Sequence, residues 1–201
     1  RMEVAARYYA QKAALGEKVT AQAGNRQVRA QLSGRIRDAM KEDGTLGRVL
    51  TQVTVREPVW LDATNRNDRS VYREGMVLEH HLAPGVKEDF TITGVSENQN
   101  RLTLTNEKGQ TVGLKISAID SHYRLYRENT LELREGEQLR ASAGIHVRAG
   151  AGEMLTVTGL KQGKWLFKDK LVMSNSRGEK VHVNPDAPLY ADYGYTESFG
   201  A

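Results

Sequence analysis

A β-rich sequence pattern occurs twice in tandem, and this repeat restricts the possible folds more than any other feature. In the first copy, Gly-containing turns and β-branched runs extend over residues 74–109, and the same landmarks recur over residues 135–178. The offset between matching glycines is 61 for Gly75 and Gly136, and it grows to 65 and then to 69 further along. Short strands joined by tight turns are typical of small barrels, so the repeat predicts two small SH3/OB-like β-barrel units.

The composition is that of an ordinary globular chain. Of its 201 residues, 39% are hydrophobic and 27% are charged, and no run approaches the roughly 18 apolar residues of a membrane span. The chain has no Cys, which excludes disulfides and thiolate metal sites and favours a reducing compartment, so we expect a cytoplasmic protein. Because it begins without Met and stops without a closing element, we expect an internal piece of a longer protein.

Hydrophobic periodicity predicts an α+β fold with its helices at the start. One helix ends near Gly16, and a second is capped by Asn25 and ended by Gly44. The predicted parts are a helical segment plus strand (1–58), the first β unit with its lead-in (59–127), the second β unit (128–187) and a return toward the helical part (188–201).

Alternation of apolar and polar residues predicts the strands. They cover residues 49–55, 76–80, 90–95, 101–106, 111–116, 138–142, 153–159, 165–170 and 180–183. Residues 117–127 are predicted to link the two β units. In the strand predicted at 165–170, alternation places Trp165 and Phe167 on the same, inner face.

Patterns that carry catalysis or metal binding are weak in this sequence. A phosphate-binding loop needs two glycines at fixed spacing followed by Lys and a hydroxyl residue, and the Gly-rich stretches at 109–115 and 159–164 fail both requirements. The adjacent His80 and His81 point to opposite faces of a strand and cannot share a metal. We therefore predict no catalytic residue, no metal site and no bound cofactor within this chain.

Basic and aromatic residues of the second β unit give the clearest indication of function. Single-stranded nucleic acid binds surfaces where cations follow phosphates and aromatic rings stack on bases. The predicted binding residues are Arg140, Arg148, Lys161, Lys164, Trp165, Lys168 and Lys170. The alternative, which the sequence leaves open, is a solvated hairpin whose Trp165 belongs to the core.

A second basic surface is predicted on the second helix. Residues 1–58 hold 11 Lys/Arg against 6 Asp/Glu, so the basic excess lies in the helical part of a chain whose net charge is +4. Helical spacing places Arg26, Arg29 and Arg37 in one stripe beside the apolar face.

The order of several short motifs resembles the RecD-like superfamily-one helicase domains of TraI-like conjugative relaxase–helicases from F-type plasmids. The motifs are residues 25–26, 33–37, 44–47, 58–62, 71–77, 117–121 and 135–140. The resemblance implies that the helices belong to a helicase motor domain and that the two β units are its 2B and 2B-like insertions. It also implies a single-stranded DNA ligand and a translocation signal recognised by the type IV secretion coupling protein, in a monomer without membrane insertion.

One departure from the family pattern implies that the motor is degenerate. Active members carry Ser-Gln-Gly after the second β unit, whereas this chain has Ser198-Phe199-Gly200. The resemblance then implies a non-hydrolysing first helicase domain. The parent protein is expected to be a relaxase using a divalent metal and a helicase using ATP and Mg²⁺.

Two other functions remain open on the sequence. The chain could be a DNA-clamping insertion of an active ATP-dependent helicase, or a protein-interaction module with no DNA role. ATPase activity of the helicase domain that contains this chain would favour the first alternative. Failure of the chain to bind oligonucleotides would favour the second.

Overall fold

The computed structural model describes residues 1–17 and 20–198, and in these residues the chain has an α+β fold. Its elements are α1 (Met2–Ala14), β1 (Ala21–Ala23), α2 (Arg26–Glu42), β2 (Val49–Val59), β3 (Val77–Ala83), β4 (Val86–Ser96), β5 (Arg101–Asn106), β6 (Thr111–Lys115), β7 (Tyr123–Arg134), β8 (Gln138–Ala141), β9 (Met154–Lys161), β10 (Lys170–Ser174), β11 (Lys180–Val183), β12 (Ala191–Tyr193) and β13 (Thr196–Ser198). Two short 3₁₀ helices lie at Arg69–Val71 and Ile116–Ala118.

The chain folds as two compact units. The insert unit is Arg56–Asn129, and the helical unit is Arg1–Val55 with Thr130–Ala201. The helices therefore pack in one unit with the second β repeat, whereas the four-part division predicted from the sequence treated them separately. Local periodicity cannot show which distant segments share a core, which explains why this grouping was missed.

Two helices and Tyr195, near the end of the described residues, form one core of the helical unit. Asn25 caps α2 as predicted, because its side-chain oxygen accepts the backbone N–H of Val28 at 2.9 Å. Leu32, Ile36 and Met40 recur at four-residue spacing and are all buried, which fixes one face of α2 against the core. Tyr195 is buried in the same cluster.

Each unit also contains a largely antiparallel sheet. In the helical unit the strand order is β11-β10-β9-β8-β12, and β1 pairs with β13 in a separate parallel pair. The six-stranded sheet has the order β2-β7-β3-β4-β5-β6, and its strands β3 to β6 lie wholly within the insert unit. Within the described residues, neither order closes on itself into a barrel.

The segment predicted as a linker is in part a strand, so that prediction was wrong. Residues 123–134 form β7, which pairs with β3 so that Leu125 faces Leu78. The adjacent Leu125 and Tyr126 of this strand are both buried, so the segment belongs to the fold and does not merely connect two units.

The structure confirms the tandem repeat. Gly75 donates its N–H to the carbonyl of Ile92, and Gly136 donates to Val157, both at 2.8 Å. The φ angles of the two glycines are 89° and 86°, a conformation that residues with a Cβ rarely adopt. The same backbone device therefore opens both repeats.

The two hairpin turns that close the repeats match as well. Asn106 accepts the N–H groups of Lys108 and Gln110 at 3.0 and 2.9 Å through its side-chain oxygen. Asn175 accepts those of Arg177 and Glu179 at the same two distances. Since Asn side chains readily bond their own backbone two residues on, the two turns share one local mechanism.

The prediction of a strand at residues 165–170 was wrong, because the strand in this part of the second repeat is β10, which begins only at Lys170. The offset of 69 aligns Leu102 of β5 with Leu171 of β10, and both side chains are buried. Trp165, Leu166 and Phe167 instead lie in a loop before β10, and they are exposed rather than on an inner face. Their apolar character suggested a strand because hydrophobic runs are commonly buried.

Candidate nucleic-acid interface

The loop that joins β9 to β10 presents the predicted lysines on one short segment. Lys161 ends β9 and Lys170 begins β10, and these two residues pair across the hairpin. Asp169 closes the loop from inside by accepting the N–H of Gly163 at 2.9 Å. We call residues 161–170 the basic loop.

A tight turn forms the tip of the basic loop. The N–H of Phe167 bonds the carbonyl of Lys164 at 3.1 Å, so Trp165 and Leu166 occupy the two corner positions. The exposed fractions of Trp165, Leu166 and Phe167 are 101, 98 and 81%. The tip is therefore an apolar projection, and the alternative in which Trp165 belongs to the core is wrong.

Positive charge surrounds this apolar tip. The four lysines of the loop are exposed, and among the described residues no carboxylate forms an ion pair with any of them: Lys161, Lys164, Lys168 and Lys170. With Asp169 as the sole acid in the loop, its net charge is +3. Exposed cations without an ion-pair partner can bind phosphates without first breaking an internal ion pair.

Arg140 and Arg148 lie apart from the basic loop. Arg140 is half-buried on β8 and forms an ion pair with Glu197 at 3.5 Å. Arg148 donates to the carbonyl of Lys180 at 3.3 Å, and its own carbonyl accepts from Asn175. Asn175 follows the last residue of β10, whereas the basic loop ends at the first residue, Lys170, so Arg148 lies at the other end of that strand.

The second basic surface does not include Arg37. Its side chain is only 11% exposed and bonds Glu137 through Nε at 2.8 Å and Nη2 at 3.0 Å. Burial lowers the pKa of Arg37, but the hydrogen bond and charge of Glu137 outweigh burial and raise it above its ordinary value. Helical spacing placed Arg37 correctly beside the apolar face but could not show that a carboxylate from another element meets it there. Arg26 is exposed and Arg29 half-buried.

Comparison with known proteins identifies the family of the insert unit. A family model described as the DNA relaxase TraI 2B/2B-like domain matches residues 55–133. Residues 55–133 belong to the TraI 2B/2B-like domain family. The matched range coincides closely with the insert unit, Arg56–Asn129.

Two curated relatives extend the similarity beyond the TraI 2B/2B-like domain. Both are named multifunctional conjugation protein TraI, one from Escherichia coli and one from Escherichia coli strain K12. Each is 33% identical over 149 residues, which is 73% of this chain and 8% of the relative. The resemblance to TraI-like relaxase–helicases is thereby confirmed, and the chain spans about 8% of the length of the relatives that it matches.

Neither a metal cluster nor a membrane-spanning helix is present in the described part of this TraI-like chain. Residues 1–17 and 20–198 contain no group of three or more His, Asp or Glu residues arranged to hold a metal ion. No helix among them is long and apolar enough to cross a membrane. Phe199, on which the implied loss of ATP hydrolysis depends, lies outside the described residues.

Sequence reasoning found the lysines and Trp165 of the basic loop but missed Leu166 and Phe167 as surface residues. A signal was available in the repeat offset, which rises from 65 to 69 between Gly94 and Gly109 and so places four additional residues in this part of the second repeat. The core-forming strands of the second repeat correspond to those of the first without these four residues. Extra apolar residues in the connection therefore have no place in the core and remain on the surface.

Proposed function

We propose that this chain is a non-catalytic part of a conjugative relaxase–helicase that binds single-stranded DNA through the basic loop. In this proposal the helices belong to a vestigial first helicase domain in the cytoplasm, and the repeats are two SH3/OB-like insertions. The same region carries a translocation signal for the type IV secretion coupling protein. The parent protein supplies relaxase chemistry with a divalent metal and ATP-dependent unwinding with Mg²⁺.

One observation supports the DNA proposal: the exposed rings of Trp165 and Phe167 lie on the same loop as four exposed lysines that form no ion pair among the described residues. Lysines track a phosphate backbone through electrostatic attraction, while rings such as Trp165 stack on bases of any sequence. Arg140 and Arg37 are committed to internal carboxylates and contribute less. The DNA contacts are therefore expected at the basic loop, with Arg26 and Arg29 as a separate, weaker surface.

The secretion proposal has support of another kind. The relatives are named for conjugation, and this chain matches 8% of their length. A recognition signal needs an exposed surface that a partner can read, and the basic loop offers one.

Replacing Lys164 and Lys168 by Gln is expected to flatten the salt dependence of single-strand binding. Each lost phosphate contact lowers the slope of log affinity against log salt by about 0.7 for single strands, so the double variant should lose about 1.4. The measurement is a fluorescence-anisotropy titration of labelled oligothymidylate at several salt concentrations.

The matched control is Lys108→Gln with Lys115→Gln, which removes the same charge from exposed positions in the insert unit. If both double variants change the slope equally, the net charge of the chain governs binding and the basic loop is not the site. A parallel titration with purified coupling protein tests the secretion role. Binding of that protein without oligonucleotide binding would leave only the protein-interaction function.

A further inference from the structure

Because the fold is duplicated, the basic loop between β9 and β10 can be compared with the equivalent connection between β4 and β5. In the first repeat, Ser96 pairs with Arg101, and the polar residues 97–100 connect β4 to β5. In the second repeat, Lys161 and Lys170 pair in the equivalent place, and eight residues connect β9 to β10. Four residues thus suffice to close this hairpin, so the four additional ones are not needed for the fold.

The tip of the basic loop is built in an unfavourable backbone conformation. Trp165 has a φ of 61°, in the left-handed region that bulky residues with a Cβ rarely adopt. At the first-repeat connection the residue with positive φ is Asn100, at 51°, and Asn tolerates this region far better. Because Trp165 is fully exposed, no packing within the fold compensates for its conformation.

The side chains at the tip fit insertion between bases better than stacking on one base alone. Trp165 and Leu166 are the corner residues of the turn, so they project away from the strands. A Trp ring can stack on a base, but Leu has no flat face. Apolar side chains, Leu among them, are inserted between base steps by proteins that partially unstack the bases, and aromatic rings stack on the bases of single strands.

We propose that the tip of the basic loop is a wedge that inserts Trp165 and Leu166 between neighbouring bases of an unpaired strand. Lys161 and Lys164 on one arm and Lys168 and Lys170 on the other hold the flanking phosphates. Unpaired bases separate at lower cost than those in a duplex, so the preferred ligand is a single strand that carries its bases. This inference rests on the proposed DNA binding and specifies which part of the strand is read.

The wedge predicts that affinity depends on the bases and not only on the phosphates. Three probes of equal length separate these contributions: oligothymidylate, the same strand with abasic sites at its centre, and a blunt duplex. The unaltered chain is expected to bind oligothymidylate about tenfold more tightly than the abasic strand or the duplex, since stacking on each base strengthens binding by about that factor. Trp165→Ala with Leu166→Ala should remove this preference while leaving the salt slope unchanged.

A loop exchange provides the matched control. Replacing residues 162–169 by Glu-Asn-Gln-Asn, the sequence of residues 97–100, should fold because the same connection closes β4 and β5 in this chain. Circular dichroism and thermal unfolding verify the fold. The exchanged chain should lose both the base preference and the salt dependence due to Lys164 and Lys168.

Fluorescence gives a second readout in a Trp60→Phe background, where Trp165 is the remaining Trp. Base stacking should quench Trp165 emission with oligothymidylate and leave it unchanged with the abasic strand. Equal affinity for oligothymidylate and the abasic strand would overturn the wedge but leave the proposed DNA binding intact. Absence of binding to every strand at low salt would overturn both.

A vesicle-binding assay with phosphatidylglycerol and phosphatidylethanolamine gives one further test. The wedge would be overturned if the unaltered chain binds these vesicles, the Trp165→Ala, Leu166→Ala variant does not, and oligonucleotides fail to displace the chain from them. In that case the apolar residues would enter a bilayer interface and the lysines would meet anionic headgroups.

Discussion

Replacing Arg37 by Met is expected to lower the free energy of unfolding of the helical unit by about 3–5 kcal/mol. Glu137 has an exposed fraction of 0% and accepts hydrogen bonds from Nε and Nη2 of the Arg37 guanidinium. Without Arg37 its carboxylate stays in the core without a counter-charge. Removing one partner of such a pair is far more costly than replacing both, because the desolvated charge that remains is not compensated.

Several other groups depend on the same carboxylate. Tyr195 donates its hydroxyl to Glu137 at 2.5 Å, and the N–H of Arg134 bonds it at 3.1 Å. Burial and the charge of Glu137 raise the pKa of Tyr195, which keeps it a neutral donor. The pair therefore connects α2, the start of the second repeat and the end of the described chain.

Hydrogen exchange at the amide of Val157 measures this effect, because that amide bonds Glu137 within the second repeat. The matched control is Arg35→Met on the same helix, whose ion pair with Glu3 at 2.6 Å is exposed on both sides. Exposed pairs contribute at most about 1 kcal/mol, so this control should change little. Equal losses in the two variants would show that the buried pair is not what stabilises α2 against the repeat.

Replacing Arg56 by Met is expected to lower the stability of the insert unit by about 3 kcal/mol. Arg56 is buried and contacts three carboxylates, bonding Glu79 and Asp89 through Nη1 at 2.8 Å and Glu128 through Nε at 3.0 Å. Glu79 is itself buried. Lys87 remains near Glu79 at 3.4 Å, and for this reason we expect a loss at the lower end of the range for buried pairs.

Exchange at the amide of Ile92, the counterpart of Val157 in the first repeat, reports on this unit. Arg73→Met, at an exposed position of the same unit, is the matched control. If the free energy of unfolding of the insert unit changes by less than about 1 kcal/mol in the Arg56 variant, the negative charges of the surrounding carboxylates are compensated without Arg56.

The same cluster gives the insert unit a pH dependence. Partial burial raises the pKa of Asp89, but the hydrogen bonds from Lys87 and Arg56 outweigh it and lower the pKa overall. A depressed folded-state pKa contributes stability above the unfolded value of about 3.9, and this contribution is lost as the pH falls through the folded-state pKa. Acid unfolding of the Arg56 variant should therefore be less steep below about pH 4 than that of the unaltered chain.

Local signals in the sequence predicted the helices and most strands because each depends on nearby residues. Asn25 caps its helix through an amide three residues away, and the turn at Asn106 closes through bonds within four residues. Arg37 shows where such reasoning ends, since its partner Glu137 is 100 residues away. Spacing could place Arg37 beside an apolar face but could not supply the carboxylate that makes it internal.

The basic loop shows the converse limitation. Its lysines were found because they cluster along the sequence around one predicted hairpin, while the exposure of Trp165 and Leu166 depends on which segment becomes β10. An apolar run followed by Lys170 and Leu171 offers two possible strand registers, and only the pairing with β9 and β11 selects the later one.

Contact between Trp165 and the bases of single-stranded DNA can be followed through the indole N–H signals of the chain. The protein has two Trp residues, Trp165 on the basic loop and Trp60 in the insert unit, so each indole N–H gives one assignable resonance in a ¹⁵N-labelled sample. On titration with oligothymidylate, the Trp165 resonance should shift with the binding isotherm, while Trp60 serves as the reference. A Trp165 resonance that stays in place while the oligonucleotide binds would show that Trp165 does not contact the bases.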